Sequence, residues 1–183
     1  MLRLVLMALL VFISACDKNN SDPARQPSHE KWTEKVKLAN GGFLDIKQER
    51  RHGGGEAGSF GGPLVYARIE FDYRGEHYVW ESENVAPYIL EIDERGRPVV
   101  AGDIGYDWAW RQRGSPCDRG VVQYSENGVW IQIPSWDLPV NNRLNIAQSK
   151  KQADAGMAMA DDPRSPSTIM RYWVDKDKCT GKE

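Results

Sequence analysis

The glycine-rich stretch HGGGEAGSFGGP, residues 52–63, is where residue types and spacing first suggest chemistry. A phosphate cradle needs glycines between a strand and a helix N-terminus, where backbone amides converge on the anion. Here a strand pattern follows the glycines, and no Lys-Ser/Thr pair closes the motif. The nucleophile elbow Gly-x-Ser-x-Gly is also missed, because position 57 is Ala. The stretch reads instead as a long hairpin loop, and loops on a rigid scaffold are common contact elements. His52, Gly53, Gly54, Gly55 and Phe60 are therefore candidates for part of a contact surface.

Other chemistries lack their parts. A metal site needs clustered His, Cys, Asp or Glu. His52 and His77 lie far apart, and His29 sits in a polar N-terminal stretch. A hydroxyl nucleophile needs a base, and within the folded part only His52 and His77 could serve. The paired carboxylates Glu81/Glu83 and Asp93/Glu94 fall at alternating or turn positions, the pattern of solvated faces rather than of a glycosidase pair. No catalytic constellation, metal site or cofactor site emerges, and the expectation is a protein that is not an enzyme.

Tryptophan is the notable excess, with seven residues. Trp80, Trp108, Trp110, Trp130, Trp136 and Trp173 lie in or beside expected strands. Exposed indoles form platforms for sugars or hot spots for protein partners. Buried ones fill small β cores, each covering ~150–250 Å². In 129–133, Val129, Ile131 and Ile133 share one face and leave Trp130 on the other. Trp130 is thus the candidate for an exposed or second-layer aromatic.

The elements that must position these residues are mostly strands. From Val36 onward, period-two alternation is punctuated by turn residues. In VYARIEFDY (65–73), Val65, Ala67, Ile69, Phe71 and Tyr73 point one way and Arg68, Glu70 and Asp72 to solvent. Arg74-Gly75 turns the chain into EHYVWES (76–82). Asn127-Gly128 tolerates the positive φ of a two-residue type I′ turn, and Asn40-Gly41-Gly42 repeats the device. A further pair lies around Glu94 to Arg97, and Tyr106, Trp108 and Trp110 alternate in a strand-like run. Only 145–160 suggests a helix, with Ile146, Ala153, Met157 and Ala160 near helical spacing. TIMRYWV (168–174) is a last strand candidate. About nine strands and one helix describe a mainly-β domain, a compact antiparallel sandwich or open barrel. No internal repeat is evident.

The N-terminus supplies an address. Arg3 precedes an apolar run from Leu4 to Ile13, too short at about 1.5 Å per residue for a ~30 Å bilayer core and suited to an export signal. Ile13-Ser14-Ala15-Cys16 resembles the lipobox of bacterial lipoproteins. That resemblance implies cleavage before Cys16, lipidation of its thiol and attachment to the membrane through lipid, for which two or more acyl chains give durable anchoring. Asp17 after the cysteine resembles an inner-membrane retention signal, which favours that membrane over the outer, although Lys18 weakens it. The expected layout is a signal peptide over 1–15, the lipidated Cys16 and a flexible tether over 16–32, and one periplasmic domain over 33–183.

Charge and cysteines fit that layout. The first 15 residues hold one arginine and no acid, which takes the formal charge from −2 to −3. With no basic block, nucleic acid is not an expected partner. With Cys16 assigned to lipid, Cys117 and Cys179 remain in an oxidising compartment, and a Cys117–Cys179 disulfide is expected, the alternative being two separated thiols, one of them reactive.

The layout resembles that of uncharacterised lipoproteins of Gram-negative bacteria, through short pieces spread over most of residues 36–179. The resemblance rests on the lipobox, VKLANGG (36–42), QERRHGGG (48–55), IEFDYRGEHYVWES (69–82), ENGVWIQIP (126–134) and the two later cysteines. It implies location and topology and assigns no functional residue. The expected function is a non-enzymatic module for a periplasmic protein partner, of inhibitor or immunity type. The alternative is an envelope glycan or small-ligand binder using exposed tryptophan and the 52–63 loop.

Overall fold

The computed structural model describes residues 26–54, 62–105, 107–112, 114, 117–140, 144–155 and 179–180. Among these residues eight strands run β1 (Ser28–Lys37), β2 (Phe43–His52), β3 (Leu64–Tyr73), β4 (Glu76–Ser82), β5 (Ala86–Ile92), β6 (Pro98–Asp103), β7 (Gly120–Glu126) and β8 (Val129–Ile133). They form two antiparallel sheets in simple sequence order, β1-β2-β3-β4 and β5-β6-β7-β8. The mainly-β expectation holds. The expected absence of a sequence repeat hides a repeated topology, one four-strand meander followed by another.

The alternation in β3 explains the inner face of the first sheet. Ala67, Ile69 and Phe71 are buried with Val36, Ile46 and Trp80 against Leu90, Val100, Val121 and Ile146 of the second half. The outer face of this sheet is ionic. Across the register, Lys31, Glu49, Arg68 and Glu81 form one row of alternating sign. Glu49 is drawn under its neighbours by Arg51, Lys31 at 3.1 Å and His29 at 2.9 Å.

The second sheet is buried on both faces. Its outer residues Ile89, Val99, Ala101 and Val122 lie beneath Leu138, Val140 and Leu144 of the chain that follows β8. This double covering corrects the expectation for Trp130. Alternation does set Trp130 against Ile133, but it is Trp130 that faces the core between the sheets, while Ile133 meets the covering segment. Val129, expected on the buried face, is 61% exposed at the strand's start.

Three further expectations change. Strand β1 begins at Ser28, inside the stretch assigned to the tether over 16–32, and Trp32 is buried there. Ladder pairing of residues 28–32 with 48–52 holds that stretch in the sheet despite its polar composition. Within the aromatic run expected as a strand over 106–112, Asp107–Gln112 forms helix α1. Ala109 and Trp110, adjacent in sequence, both pack on the core, which a strand's period of two would forbid. Of the helix expected over 145–160, residues 145–149 are not helical and α2 (Lys150–Asp154) is, capped by Ser149; residues 156–160 lie outside the described residues. Before it, Leu144 to Ala147 are consecutively buried; Asn145 N and Ile146 N donate to Tyr88 O of β5 and Ala147 N to the Glu34 carboxylate of β1, so the segment fills the gap between the sheets. The strand expected over 168–174 lies outside the described residues.

That gap is sewn by polar groups. Asn145 Nδ2 donates to the carbonyls of Leu90 (2.7 Å) and Lys37 (3.1 Å), and its Oδ1 accepts from Leu90 N (2.9 Å). Arg50, fully buried and 5.5 Å from the Trp32 ring, donates to the carbonyls of Ala147, Gln148 and Pro87. Burial pushes its guanidinium down to about 10, still charged at neutral pH. Glu34 accepts from Ala147 N (3.2 Å) and Gln48 Nε2; burial raises its carboxyl above the ordinary value despite those donors and nearby Arg50. Cys117 and Cys179 are bonded as a disulfide, with Cα atoms 5.4 Å apart.

Candidate functional site at the hairpin-turn end

Two consecutive meanders have a geometric consequence. In each sheet the first and third connections leave from the same end, because alternate strands run the same way. The tight turns at 38–42, 74–75, 93–97 and 127–128 therefore gather in two pairs. Contacts across the sandwich bring both pairs to one end: Ala39 N donates to the Glu91 carboxylate at 3.0 Å, and Arg74 lies against Gly96.

The end so formed has concave surface, exposed apolar groups and free charge. A depression of about 400 Å³ is lined by Ala39, Tyr73, Arg74, Ile92, Arg95 and Gly96, among others. A second, of about 560 Å³, adds Leu138, Pro139 and Val140. Both share Asp93 and Glu94, as does a third of about 280 Å³ reaching Tyr124 and Ile133. Phe43, 58% exposed, and Val129 start the strands that leave two of the turns.

The charges here divide into used and unused. Asp93 accepts from the backbone of Arg95 and Arg97 and from the Arg97 side chain, all within 3.0 Å. Burial alone would raise this carboxyl, but those donors outweigh it and hold it below its ordinary value. Arg97 in turn lies 3.8 Å from the Tyr124 ring centroid. Arg74, Glu94 and Arg95 are exposed and make no ion pair among the described residues. The outer face of the first sheet differs. Its cavity of about 470 Å³ is lined by Lys31, Lys47, Glu49, Arg68 and Glu70, whose charges already pair with one another. A ligand there would have to displace those pairs; at the turn end it would not.

The residues singled out from sequence fall elsewhere. His52, Gly53 and Gly54 lie at the opposite end, where Gly53 N donates to Pro63 O at 2.8 Å and His52 Nδ1 lies 3.4 Å from Gly62 O. Gly55, Phe60 and Cys16 lie outside the described residues. Trp130 does not join His52. Its indole is fixed beside Val79, and the β3 partners of His52 and Val79, Leu64 and Glu70, are six residues or about 20 Å apart along the strand. Among the described residues there is no group of three His, Cys, Asp or Glu placed to hold a metal ion.

Arg74, Arg95 and Phe43 lie outside the glycine-rich stretch, and no motif in their own short segments marks them as contact residues. The signal that finds them is the even spacing of short turns: in an unbroken meander, alternate turns must share an end. Comparison with protein families, curated proteins and solved structures finds no match to this chain.

Proposed function

We propose that this chain is a lipid-anchored protein of the bacterial envelope, held through Cys16 and facing the periplasm, whose β sandwich is a non-enzymatic module for binding a protein partner. The class that suits it best is an inhibitor or immunity-type protein. The observation that carries this reading is the convergence of four tight turns, two exposed apolar side chains, and Arg74 and Arg95, which have no ion-pair partner among the described residues, on one end of a rigid sandwich. Protein interfaces favour this mixture of arginine, aromatic and apolar groups around a concave centre.

The direction of the chain supports it further. Strand β1 enters the sandwich at the end opposite the turns, since Ser28 pairs with His52 and Lys37 with Phe43. An anchor upstream of Ser28 leaves the turn end pointing away from the membrane. The bonded Cys117–Cys179 pair fits an oxidising compartment.

Photo-crosslinking in cells tests the reading. A benzophenone amino acid at Phe43 or Val129 should give one discrete protein adduct, while the same group at Gln112 or Lys150 should not. Adducts absent from the turn end, or equal at all four positions, would overturn it. Separately, Cys16→Ala should release the domain from membrane fractions; continued membrane attachment would refute the lipid anchor.

A further inference from the structure

Arg74 occupies a backbone conformation that arginine disfavours. It is the first residue of the two-residue turn between β3 and β4, with φ +52°, followed by Gly75 at +82°. Asn, Asp or Gly is the unstrained choice there, and Asn fills the equivalent place at Asn127, φ +53°. A side chain with a Cβ and no local hydrogen bond is held in the left-handed region at a cost of roughly 1–2 kcal/mol. Strain of this kind, where it persists, marks positions selected for something other than stability.

The side chain is placed as carefully as the backbone is strained. The guanidinium sits 5.2 Å from the centroid of the Tyr73 ring. Its Nη1 also approaches Gly96 of the β5–β6 turn, where a Cβ would come within 2.8 Å of it. Gly96 has φ +81°, so both its conformation and its bareness leave room for the arginine. The guanidinium thus crosses from one sheet's turn to the other's. The obvious carboxylate, Asp93, is taken by Arg97 at 2.8 Å. Arg95, exposed on the same rim, adds a second cation, and Glu94 beside it disfavours more than one incoming acid.

The geometry points to a carboxylate pocket: Arg74, with Arg95, receives a single Asp or Glu side chain of the protein partner, and the neighbouring depression, where Ile92, Leu138, Pro139 and Val140 stand beside Glu91, Asp93 and Glu94, takes an apolar residue next to it. A guanidinium preset by an aromatic face, with no carboxylate partner among the described residues, is suited to bidentate carboxylate recognition, with little side-chain freedom left to lose. This inference rests on the turn end being the partner surface, and it names the chemistry of that partner's contact segment.

The competing role for Arg74 is a staple between turns. The two roles predict opposite effects of Arg74→Asn. A staple would be lost and the melting temperature would fall. A strained recognition residue would be relieved, and the melting temperature would hold or rise while binding is lost. The probe is acetyl-Leu-Glu-Leu-amide, titrated into the ¹⁵N-labelled lipid-free protein and followed at the Arg74 Nε–H and Gly96 amide resonances. We expect saturable shifts with this peptide, none with its Gln counterpart and weaker ones with inorganic phosphate at equal concentration, and affinity reduced about tenfold or more by Arg74→Asn and also by Arg74→Lys. An equal response to the Gln peptide or to phosphate overturns the carboxylate pocket, as does the absence of saturable shifts. So does an Arg74→Asn protein that melts earlier yet binds the peptide unchanged. Crosslinking at Phe43 and Val129 that persists undiminished in Arg74→Asn would sink the pocket and leave the partner surface standing. The loss of all turn-end adducts in the unmutated protein would sink the surface itself.

Discussion

The indole Nε1 of Trp130 donates a 2.6 Å hydrogen bond to the carbonyl oxygen of Val79, joining edge strand β8 of one sheet to edge strand β4 of the other. Edge strands carry backbone groups that must be paired or shielded. Here one is paired by a side chain from across the sandwich. Trp130→Phe keeps much of the packing but leaves the Val79 carbonyl without this donor, so we expect a loss of about 1–3 kcal/mol in urea unfolding. Amide exchange in β4 should rise alongside it; unchanged exchange there would show that the bond does not hold the edge.

The opposite side of the sandwich depends on Asn145. Its amide occupies both the N–H and the carbonyl of Leu90 and reaches Lys37 O and Glu91. Asn145→Ala strands several buried backbone groups at once and should lower stability by at least about 2 kcal/mol. Asn145→Asp keeps the acceptor for Leu90 N but sets a second carboxylate beside Glu91, so it should rescue little at neutral pH. Chemical unfolding of the two variants side by side measures both effects.

Acid sensitivity should come from opposed carboxylates. Arg51 above all, then Lys31 and His29, hold Glu49 down to about 2 against the opposing effect of burial. Its folded value lies below the unfolded 4.5, so its stabilisation is present above pH 4.5 and is lost as pH falls through that value toward 2. The stability gap between the parent protein and Glu49→Gln should be constant above pH 4.5 and shrink below it. Glu34 is shifted upward by burial, so its ionisation weakens the fold as pH rises above 4.5. Glu34→Gln should therefore gain on the parent protein in that direction. Unfolding free energies measured from pH 3 to pH 7 decide both signs.

The disulfide closes a loop with a sequence separation of 62. Chain entropy alone gives about 4 kcal/mol for a loop of that length, as an upper figure. Cys117→Ser with Cys179→Ser should lower the melting temperature substantially, and reductant should do the same to the parent protein but not to the double variant. Non-reducing peptide mapping should recover the two cysteines in one linked species.

Much of the fold was legible because its signals are local. Alternation in 65–73, Arg74-Gly75 and Asn127-Gly128 place two hairpins within a residue or two. What was not legible depended on contacts from elsewhere. Nothing in 129–133 says that both faces of β8 will be covered, and so alternation alone could not tell which face Trp130 takes. The polar residues 28–31 look like linker until β2 is beside them. The turn end lies between these cases: each turn could be seen singly, but the meeting of Arg74 with Gly96 depends on how two sheets stack, which no short stretch encodes.

Gly102 shows how one such distant requirement can be tested. It lies in β6 opposite Pro87, at the irregularity where the β5 register shifts between Pro87 and Ile89. A Cβ there would come within 2.3 Å of the Ala86 carbonyl oxygen, a backbone atom with no rotamer to escape into. The bared approach also matters for the buried arginine, because the Pro87 carbonyl beside it accepts from Arg50 Nη2 (3.3 Å) and from Gln148 Nε2 (2.9 Å). Gly102→Ala should push β5 from β6, disturb that acceptor and cost about 1–3 kcal/mol or more by overpacking. Gly105→Ala is the matched control, since Gly105 has no neighbour within 4 Å of a built Cβ and no left-handed φ. Removing a flexible glycine there should leave stability unchanged or raise it by about 0.4–1 kcal/mol. Equal effects of the two substitutions in urea unfolding would mean that the β5 irregularity yields easily and does not fix the Pro87 carbonyl for Arg50.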